Sequence, residues 1–410
     1  MTPDGKPGTQ STPDESATAP AVPDDDAAGD GGRVKRLVGR LVALSDKDFT
    51  SAAHSEKATA RIGVWLGIAF GICFVTGLLS HFVQRGPGWF YWPSAPVNLY
   101  RVTQGLHVLS GIAAVPLLFA KLWSVYPKLF GRPLVRNLPH AIERGSILLL
   151  SGAAFFELAT GLFNSAQNYV WGFSFPPAHY AVAWIAIGSI LVHVAVKLPV
   201  IRRALARASE EPATERGALS RRAFLRTTWL AAGTAVVATA GASVPFLRDV
   251  SPLSMRTARG PQGLPVNKTA HAARISRVDN TWRLRIAGPG RTIELSRGEL
   301  EEMATATEEL PISCVEGWSQ SAVWQGVRVA ELLELAGAEP GARVRVVSLD
   351  QGIYGRSTLP GSHSGDPKTL LALRLNGEPL ALDHGYPCRL IAPNRPGVLQ
   401  TKWVTRLEVL

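Results

Sequence analysis

Long runs of apolar residues divide the first half of the chain. Four of them, at 62–84, 102–123, 143–165 and 178–200, are each near the roughly 20 residues that an α-helix needs to cross about 30 Å of hydrocarbon. A fifth, alanine-rich stretch follows at 227–247. The pattern predicts a transmembrane bundle within 34–200 and a fifth helix within 201–250.

The basic residues predict how these helices are oriented. The formal net charge is +11, and many of the cations flank the apolar runs. The connection between the second and third runs contains Lys128, Arg132, Arg136 and Arg144, whereas residues 164–178 contain no Lys or Arg. The positive-inside rule therefore places the N-terminus in the cytoplasm and the 85–101 loop outside the cell membrane. The sequence shows no stripe of basic residues interleaved with aromatic residues on a soluble face, so nucleic acid is not an expected partner.

Residues 1–33 differ in composition from everything that follows. Pro, Asp, Gly, Ser and Ala dominate, and large apolar residues are almost absent. Such a segment cannot bury enough apolar surface to fold. We therefore expect a disordered cytoplasmic tail.

The segment after the fourth run has two interpretations. Residues 220–226 read Ser-Arg-Arg-Ala-Phe-Leu-Arg and resemble the twin-arginine export signal, here placed internally. The alternative is a basic flank before an ordinary fifth span. Ala240-Gly241-Ala242 has the small-x-small form of a cleavage site, which leaves cleavage or retention open. Either way, residues 251–410 are expected to be extracytoplasmic.

Residues 251–410 have the composition of a soluble α+β domain. Trp282–Ala287 and Thr292–Leu295 flank Gly288-Pro289-Gly290 and predict a hairpin, and Ser296 with Glu299 predicts a capping box. A short helix at Val329–Ala336 and strands at 343–347, 369–375 and 403–409 complete the prediction.

Several separated motifs in this domain agree with one family. The first is Pro311-Ile312-Ser313-Cys314-Val315-Glu316-Gly317-Trp318-Ser319. The others are Asn376-Gly377 with Leu380, the run His384-Gly385-Tyr386-Pro387-Cys388-Arg389, and Lys402-Trp403. Together they resemble the sulfite oxidase superfamily of molybdopterin-dependent oxidoreductases. The resemblance implies a sulfite-oxidase-type α+β fold and a molybdenum cofactor.

The resemblance also implies roles for particular residues. Cys314 would be the molybdenum ligand and the catalytic centre, and a soft thiolate suits a sulfur-rich metal site. Arg389 and Lys402 would bind the pterin phosphate, while His384 and Asn267 would hydrogen-bond the pterin. Without the motif, Cys314 would be interpreted as a buried small hydrophobe, and the two cations as surface charges. Cys388 is expected to be a packing residue.

The residues after Cys314 bear on the substrate. Animal and plant sulfite oxidases have arginines there, but this chain has Val315, Glu316, Gly317 and Trp318. This departure is closer to the bacterial methionine-sulfoxide-reductase-like branch and argues against sulfite. Tyr354, Arg356 and His363 are expected either to line a substrate mouth or to be ordinary loop residues.

Three histidines are expected near the outer face of the bundle. His81 ends the first run, His107 begins the second and His179 begins the fourth. The arrangement resembles membrane b-type cytochromes, in which paired histidines bind haem b. His107 with His81 or His179 is the favoured pair. His193 lies deeper and could pair with His140 or His54, although histidines at the ends of spans are often only interfacial.

The sequence thus predicts a membrane-anchored molybdopterin oxidoreductase acting on a small-molecule substrate. Oxygen-atom transfer outside the membrane would be coupled to electron transfer through the helices, with the quinol pool or a cytochrome as partner. Two alternatives are an electron-transfer module whose substrate is a partner protein, and a tethered domain without metal.

Overall fold

The computed structural model describes residues 52–130, 137–206, 220–254 and 260–410. The predicted tail at 1–33 lies outside the described residues, as do the first residues of the predicted bundle and most of the segment that joins its fourth helix to the twin-arginine motif.

Each of the four apolar runs forms a long helix. These helices are α1 (Glu56–Arg85), α2 (Leu99–Phe130), α3 (Leu138–Ser165) and α4 (Phe175–Ala206). All four are long and apolar enough to cross a membrane, as predicted. Each is longer than its predicted run, because an apolar run marks only the hydrocarbon-length part of a helix. Polar caps set the true start: Ser55 accepts a hydrogen bond from the N–H of Ala58, and Asn137 accepts one from His140.

The helices meet through small residues and present large apolar side chains outward. Ala69, Ala114 and Ala154 lie in one buried cluster where α1, α2 and α3 meet. Leu148, Leu191 and Val196 are exposed on the outside of the bundle. Small residues let helix backbones approach closely in lipid. The bundle is therefore consistent with a membrane environment.

The fifth helix is present but shorter than its predicted apolar stretch. It forms α5 (Arg221–Thr239) and is capped by Ser220, whose side chain accepts the N–H of Ala223. The chain then makes 3₁₀ turns at Ala240–Ala242 and Pro245–Val250. Ser251 Oγ accepts from the Gly241 N–H and donates to the Val237 carbonyl, the two groups that would bond each other if the helix continued, which explains the early end. Within the described residues, α5 is not among the four helices with the composition of a span.

The C-terminal domain contains two five-stranded sheets. One has the order β2-β1-β10-β5-β6, and the other has the order β3-β4-β7-β8 with β9 also paired to β7. The strands are β1 (Arg283–Ala287), β2 (Thr292–Ser296), β3 (Ala306–Ser313), β4 (Ser319–Arg328), β5 (Val344–Ser348), β6 (Arg356–Leu359), β7 (Leu370–Leu375), β8 (Glu378–Pro379), β9 (Arg389–Ile391) and β10 (Val404–Val409). The helices are α6 (Arg297–Met303), α7 (Val329–Leu335) and α8 (Gly361–Ser364).

The predicted elements of this domain are confirmed. β1 and β2 form the hairpin, and Ser296 and Glu299 form both hydrogen bonds of the capping box. The sequence did not predict β3 and β4. Pro311 lies inside β3, and a proline argues against a strand unless its missing N–H is at an edge. β3 is such an edge, since it pairs only with β4 in its sheet.

The domain rests on one end of the bundle, and Asn394 is central to the contact. The Nδ2 of Asn394 donates to the carbonyl of Pro93 at 2.7 Å, and its Oδ1 accepts from the backbone N–H of Tyr100 at 2.7 Å. Its own carbonyl accepts from Trp92 Nε1 at 2.8 Å. All three partners belong to the connection between α1 and α2 or to the first turn of α2. The domain therefore lies at the end of the bundle where α1 ends and α2 begins.

We expect Asn394→Ala to loosen the docked domain without unfolding it. Two side-chain hydrogen bonds are lost, at about 1 kcal/mol each. Hydrogen exchange of the amides at 92–102 should then rise by roughly tenfold or more.

Asn376→Ala is the matched control. Asn376 also has a positive φ (51°, against 54° for Asn394), and its side chain bonds Val323 and Gln262 within the domain. Equal acceleration at 92–102 in both variants would contradict the docking role of Asn394.

Candidate active site

Cys314 lies at the turn between two paired strands. β3 and β4 pair up to Ser313 and Ser319, and the turn closes when Cys314 N–H donates to the Trp318 carbonyl at 2.8 Å. Gly317 has a φ of +94°, a conformation that glycine adopts without strain. Cys314 is fully buried. We call residues 314–318 the cysteine loop.

A second segment of backbone runs beside the cysteine loop. Pro396 forms a parallel bridge with Ser313. A Cβ atom at Gly397 would lie 3.1 Å from Ile312 Cγ2 and 3.7 Å from Cys314 Cα. Gly385 has a φ of +109°, and a Cβ there would lie 2.9 Å from Lys402 Cβ. These glycines therefore let the backbone segments of the site pack against one another.

Arg389 and Lys402 are both buried near Cys314. Arg389 donates to the His384 carbonyl at 3.4 Å, and its guanidinium lies 5.6 Å from the Trp324 ring. Lys402 donates to the carbonyls of Asp383, at 2.9 Å, and Lys268. Burial lowers the pKa of Arg389 to about 9 and the pKa of Lys402 well below its usual value, while the charge of Cys314 opposes both shifts. Both cations are therefore within electrostatic reach of the thiol.

His384 is oriented by a carbonyl. Its Nε2 lies 2.7 Å from the Pro261 carbonyl oxygen, which can only accept, so Nε2 carries the hydrogen. Burial, followed by the charge of Arg389, lowers the pKa of His384 to about 4. The ring is therefore neutral at pH 7, and its Nδ1 is an acceptor that is buried without a partner among the described residues.

The orphaned atoms fit a polar anionic cofactor. Arg389 Nε, like His384 Nδ1, is buried without a partner among the described residues. Buried polar groups in native structures are normally hydrogen-bonded, and buried cations are normally paired. A pterin with a phosphate would provide both donors and negative charge. The residues present thus fit the group that the sequence motifs imply.

Asn267 lies beside Lys402 in a small cavity of about 30 Å³, which Lys268, Tyr354 and Gln400 also line. The sequence reasoning missed Lys268, which forms an ion pair with the buried Asp350 at 2.7 Å. Its position next to Asn267 was the available signal. Tyr354, expected at a substrate mouth or in an ordinary loop, also lines this cavity.

Three histidines of the bundle surround one large cavity. It measures about 440 Å³ and is lined by α1 to α4, with His81, His107 and His179 among the lining residues. The ring centroids of His107 and His179 are 6.1 Å apart, while His81 stacks on Tyr180 at 3.8 Å. The predicted grouping of these histidines is therefore present. Val315, Ile353 and Tyr354 of the C-terminal domain line the same cavity.

Hydrogen bonds fix the orientation of two of these rings. His107 Nδ1 donates to the Cys73 carbonyl at 2.9 Å, which leaves the lone pair on Nε2. His179 Nδ1 lies 2.9 Å from Thr160 Oγ1, and its Nε2 lies 3.1 Å from Glu157 Oε2. Glu157 is thus paired, as a carboxyl group deep in a membrane span would need to be. Its other oxygen, Oε1, is buried without a partner among the described residues.

His193 does not line this cavity. The ring centroids of His54 and Trp123 are 5.9 Å apart, and His140 Nε2 accepts a hydrogen bond from Arg144 Nε at 3.3 Å. The pairing of His193 with either residue stays a prediction. In the part of the chain that the structure describes, no group of three or more His, Cys, Asp or Glu side chains is placed to hold a metal ion.

The C-terminal domain is similar to molybdopterin-binding oxidoreductases. Residues 271–410 match the family model described as the oxidoreductase molybdopterin binding domain. This match supports an enzyme that depends on a molybdenum cofactor.

The curated relatives are sulfite oxidases and similar proteins. Mitochondrial sulfite oxidase of Homo sapiens is 32% identical over 127 residues, covering 29% of this chain and 23% of the human protein. Sulfite oxidase of Arabidopsis thaliana is 36% identical over 113 residues, covering 23% and 29%. The uncharacterized oxidoreductase YuiH of Bacillus subtilis is 30% identical over 129 residues, covering 31% and 64%. The chain thus covers less than two thirds of each of these relatives.

A buried histidine in this domain generates a test of pH dependence. Burial, and then the charge of Arg395, lowers the pKa of His363 to about 4 despite Asp366 nearby. The folded state therefore keeps His363 neutral, while the unfolded chain binds a proton below pH of about 6.5. Stability is full above that pH and falls as the pH drops toward 4.

Between pH 7 and pH 5, we expect the free energy of unfolding to fall by up to about 2 kcal/mol less in His363→Gln than in the unmodified protein. The thermal midpoint of the purified chain should then fall less steeply with pH than in the unmodified protein. The exposed His271, changed to Gln, provides the control. Parallel curves for His363→Gln and the unmodified chain would contradict the assignment.

Proposed function

We propose that this chain is a membrane-anchored molybdenum-cofactor oxidoreductase that acts on a small molecule. Oxygen-atom transfer at the C-terminal domain is coupled to electron transfer through the bundle. The observation that carries the proposal is a fully buried thiol beside two buried cations and orphaned polar atoms. A bound molybdenum pterin supplies two-electron oxygen-atom chemistry at such a site.

Each residue of the site has a distinct task in this proposal. Cys314 ligates molybdenum and is the catalytic residue, because a thiolate is the soft ligand the metal prefers. Arg389 and Lys402 bind the phosphate. His384 accepts a hydrogen bond from the pterin through Nδ1, and Asn267 contacts the pterin from the neighbouring segment. Sulfite as the substrate is disfavoured by the absence of arginines after Cys314.

We expect Cys314→Ser to abolish turnover and to remove one sulfur from the coordination of molybdenum. The serine oxygen is a harder ligand than the thiolate. X-ray absorption of the purified protein counts the sulfur ligands, and circular dichroism checks that the fold persists.

Cys388→Ser is the matched control because Cys388 is equally buried in the same domain and its Sγ contacts the Val404 carbonyl at 3.4 Å. An unchanged sulfur count in Cys314→Ser would refute the ligand assignment.

A haem b in the bundle cavity would be held by His107 and His179, which both line the cavity and whose ring centroids are 6.1 Å apart. The haem would supply one-electron transfer. Binding requires Glu157 to release His179 Nε2. His81 stacks on Tyr180 instead, so His179 is the better partner for His107.

We expect a b-type haem absorption spectrum from the purified chain, and we expect His107→Ala to abolish it. His193→Ala is the control, since His193 lies outside the cavity. A colourless protein that contains molybdenum would sink the haem proposal. The cavity would then be assigned to direct contact with a quinol.

The position of the domain supports a location outside the cell membrane. Residues near 92–100 and 164–167 contact the domain, and both connections are the ones that the charge pattern places outside. The helix that begins at Arg221 runs from the twin-arginine motif to the same end of the bundle, where Ser243 contacts Gly317. The quinol pool or a cytochrome is the proposed electron partner. If the domain bound no metal, the tethered alternative would replace this proposal.

A further inference from the structure

We infer that the helical bundle is part of the molybdenum site, and that Gln104, Asn164 and Ser243 are positioning residues that hold the cysteine loop. This inference rests on the proposed role of Cys314 as the metal ligand. It goes beyond membrane anchoring, because it assigns a structural task at the metal to side chains of the helical half.

The carbonyl that follows Cys314 is held by two helices. Gln104 Nε2, on α2, donates to the Val315 carbonyl at 3.2 Å. Asn164 Nδ2, near the end of α3, donates to the same oxygen at 3.5 Å. Gln104 is buried, so the donor is held in place by its surroundings.

The other side of the loop is held from the segment after α5. The buried Ser243 donates through Oγ to the Gly317 carbonyl at 2.5 Å. Gly317 also lies directly against α2: a Cβ atom there would be 2.7 Å from Val108 Cγ2. Between these two carbonyls, Glu316 accepts a hydrogen bond from Gln167, which follows α3.

Within its own domain, the backbone of the loop forms two hydrogen bonds between residues of the loop itself. Cys314 N–H donates to Trp318, and Gly317 N–H donates to Cys314. The carbonyls of Val315 and Gly317 therefore depend on donors from the bundle. A buried carbonyl without a partner is costly, so removing a donor favours conformations in which the loop opens.

Anchoring alone would not require this arrangement. Apolar contacts hold two packed surfaces together as well as amides do, and they need no alignment with individual carbonyls. A metal ligand must be kept within about 0.5 Å of its binding position by neighbouring residues. Donors from three separate elements that converge on the residues after Cys314 meet that requirement.

The test uses Gln104→Met in the intact chain, which removes the shorter of the two hydrogen bonds to the Val315 carbonyl at nearly constant side-chain volume. Gln84→Met is the matched control. Gln84 lines the same cavity, but its Nε2 bonds Ser80 within its own helix. Ser243→Ala tests the second side of the loop.

Two readouts are independent of turnover. The first is the rate at which iodoacetamide alkylates Cys314 in chain produced in a host that cannot make the cofactor, with peptide mapping to separate the three cysteines. The second is the Mo(V) electron paramagnetic resonance spectrum of the holoenzyme after partial reduction with dithionite.

In Gln104→Met and in Ser243→Ala, we expect iodoacetamide to alkylate Cys314 about tenfold faster than in the unmodified chain. We also expect a shifted or heterogeneous Mo(V) spectrum from both variants. Gln84→Met should match the unmodified chain in both. If the alkylation rates and the spectra of Gln104→Met and Ser243→Ala equal those of the unmodified chain, the inference is overturned while the metal assignment stays intact. Faster alkylation of Cys314, combined with a chain that contains no molybdenum even when its host makes the cofactor, would instead support the loop contacts and defeat the proposed function.

Discussion

The burial of two cations beside a buried thiol is the constraint on which the C-terminal domain depends. The hydrogen bonds that Arg389 and Lys402 make go to backbone carbonyls. Carbonyls solvate a cation but do not neutralise it, and burial depresses the pKa of both groups. A bound anion would stabilise the charged forms. The domain therefore has an electrostatic preference for an anionic ligand before any metal chemistry is considered.

The same constraint explains the local backbone. Gly385 must approach Lys402 and Gly397 must approach Cys314, because the segments that hold the proposed ligand-binding side chains pack closely against one another. Gly385 lies in the segment between β8 and β9, and Gly397 and Lys402 lie in the segment between β9 and β10. The cysteine loop, at the turn between β3 and β4, lies on another side of the site.

Sequence patterns predicted the parts of the molecule that are local. The hairpin of β1 and β2, the capping box at Ser296 and the four long helices all follow from residues that are near one another in the chain. Cys314 and Arg389 were predicted as site residues because their neighbours form motifs. Contacts between distant residues had no such signal: Gln104 bonds a residue 211 positions away, and Tyr100 bonds one 294 positions away. Asn394 carries no local pattern that would predict its contact with the bundle.

The domain contact also sets how close the proposed redox sites of the two halves would lie. Tyr354 lines both the small cavity beside Lys402 and the large cavity that contains His107 and His179. Val315, the residue after the proposed metal ligand, lines the large cavity as well. A redox group in the bundle cavity would thus lie next to Val315 and Tyr354, and Tyr354 also borders the small cavity of the proposed molybdenum site. The bonds that hold the cysteine loop on the bundle would therefore also fix this separation, so that docking and the proposed electron transfer would depend on one interface.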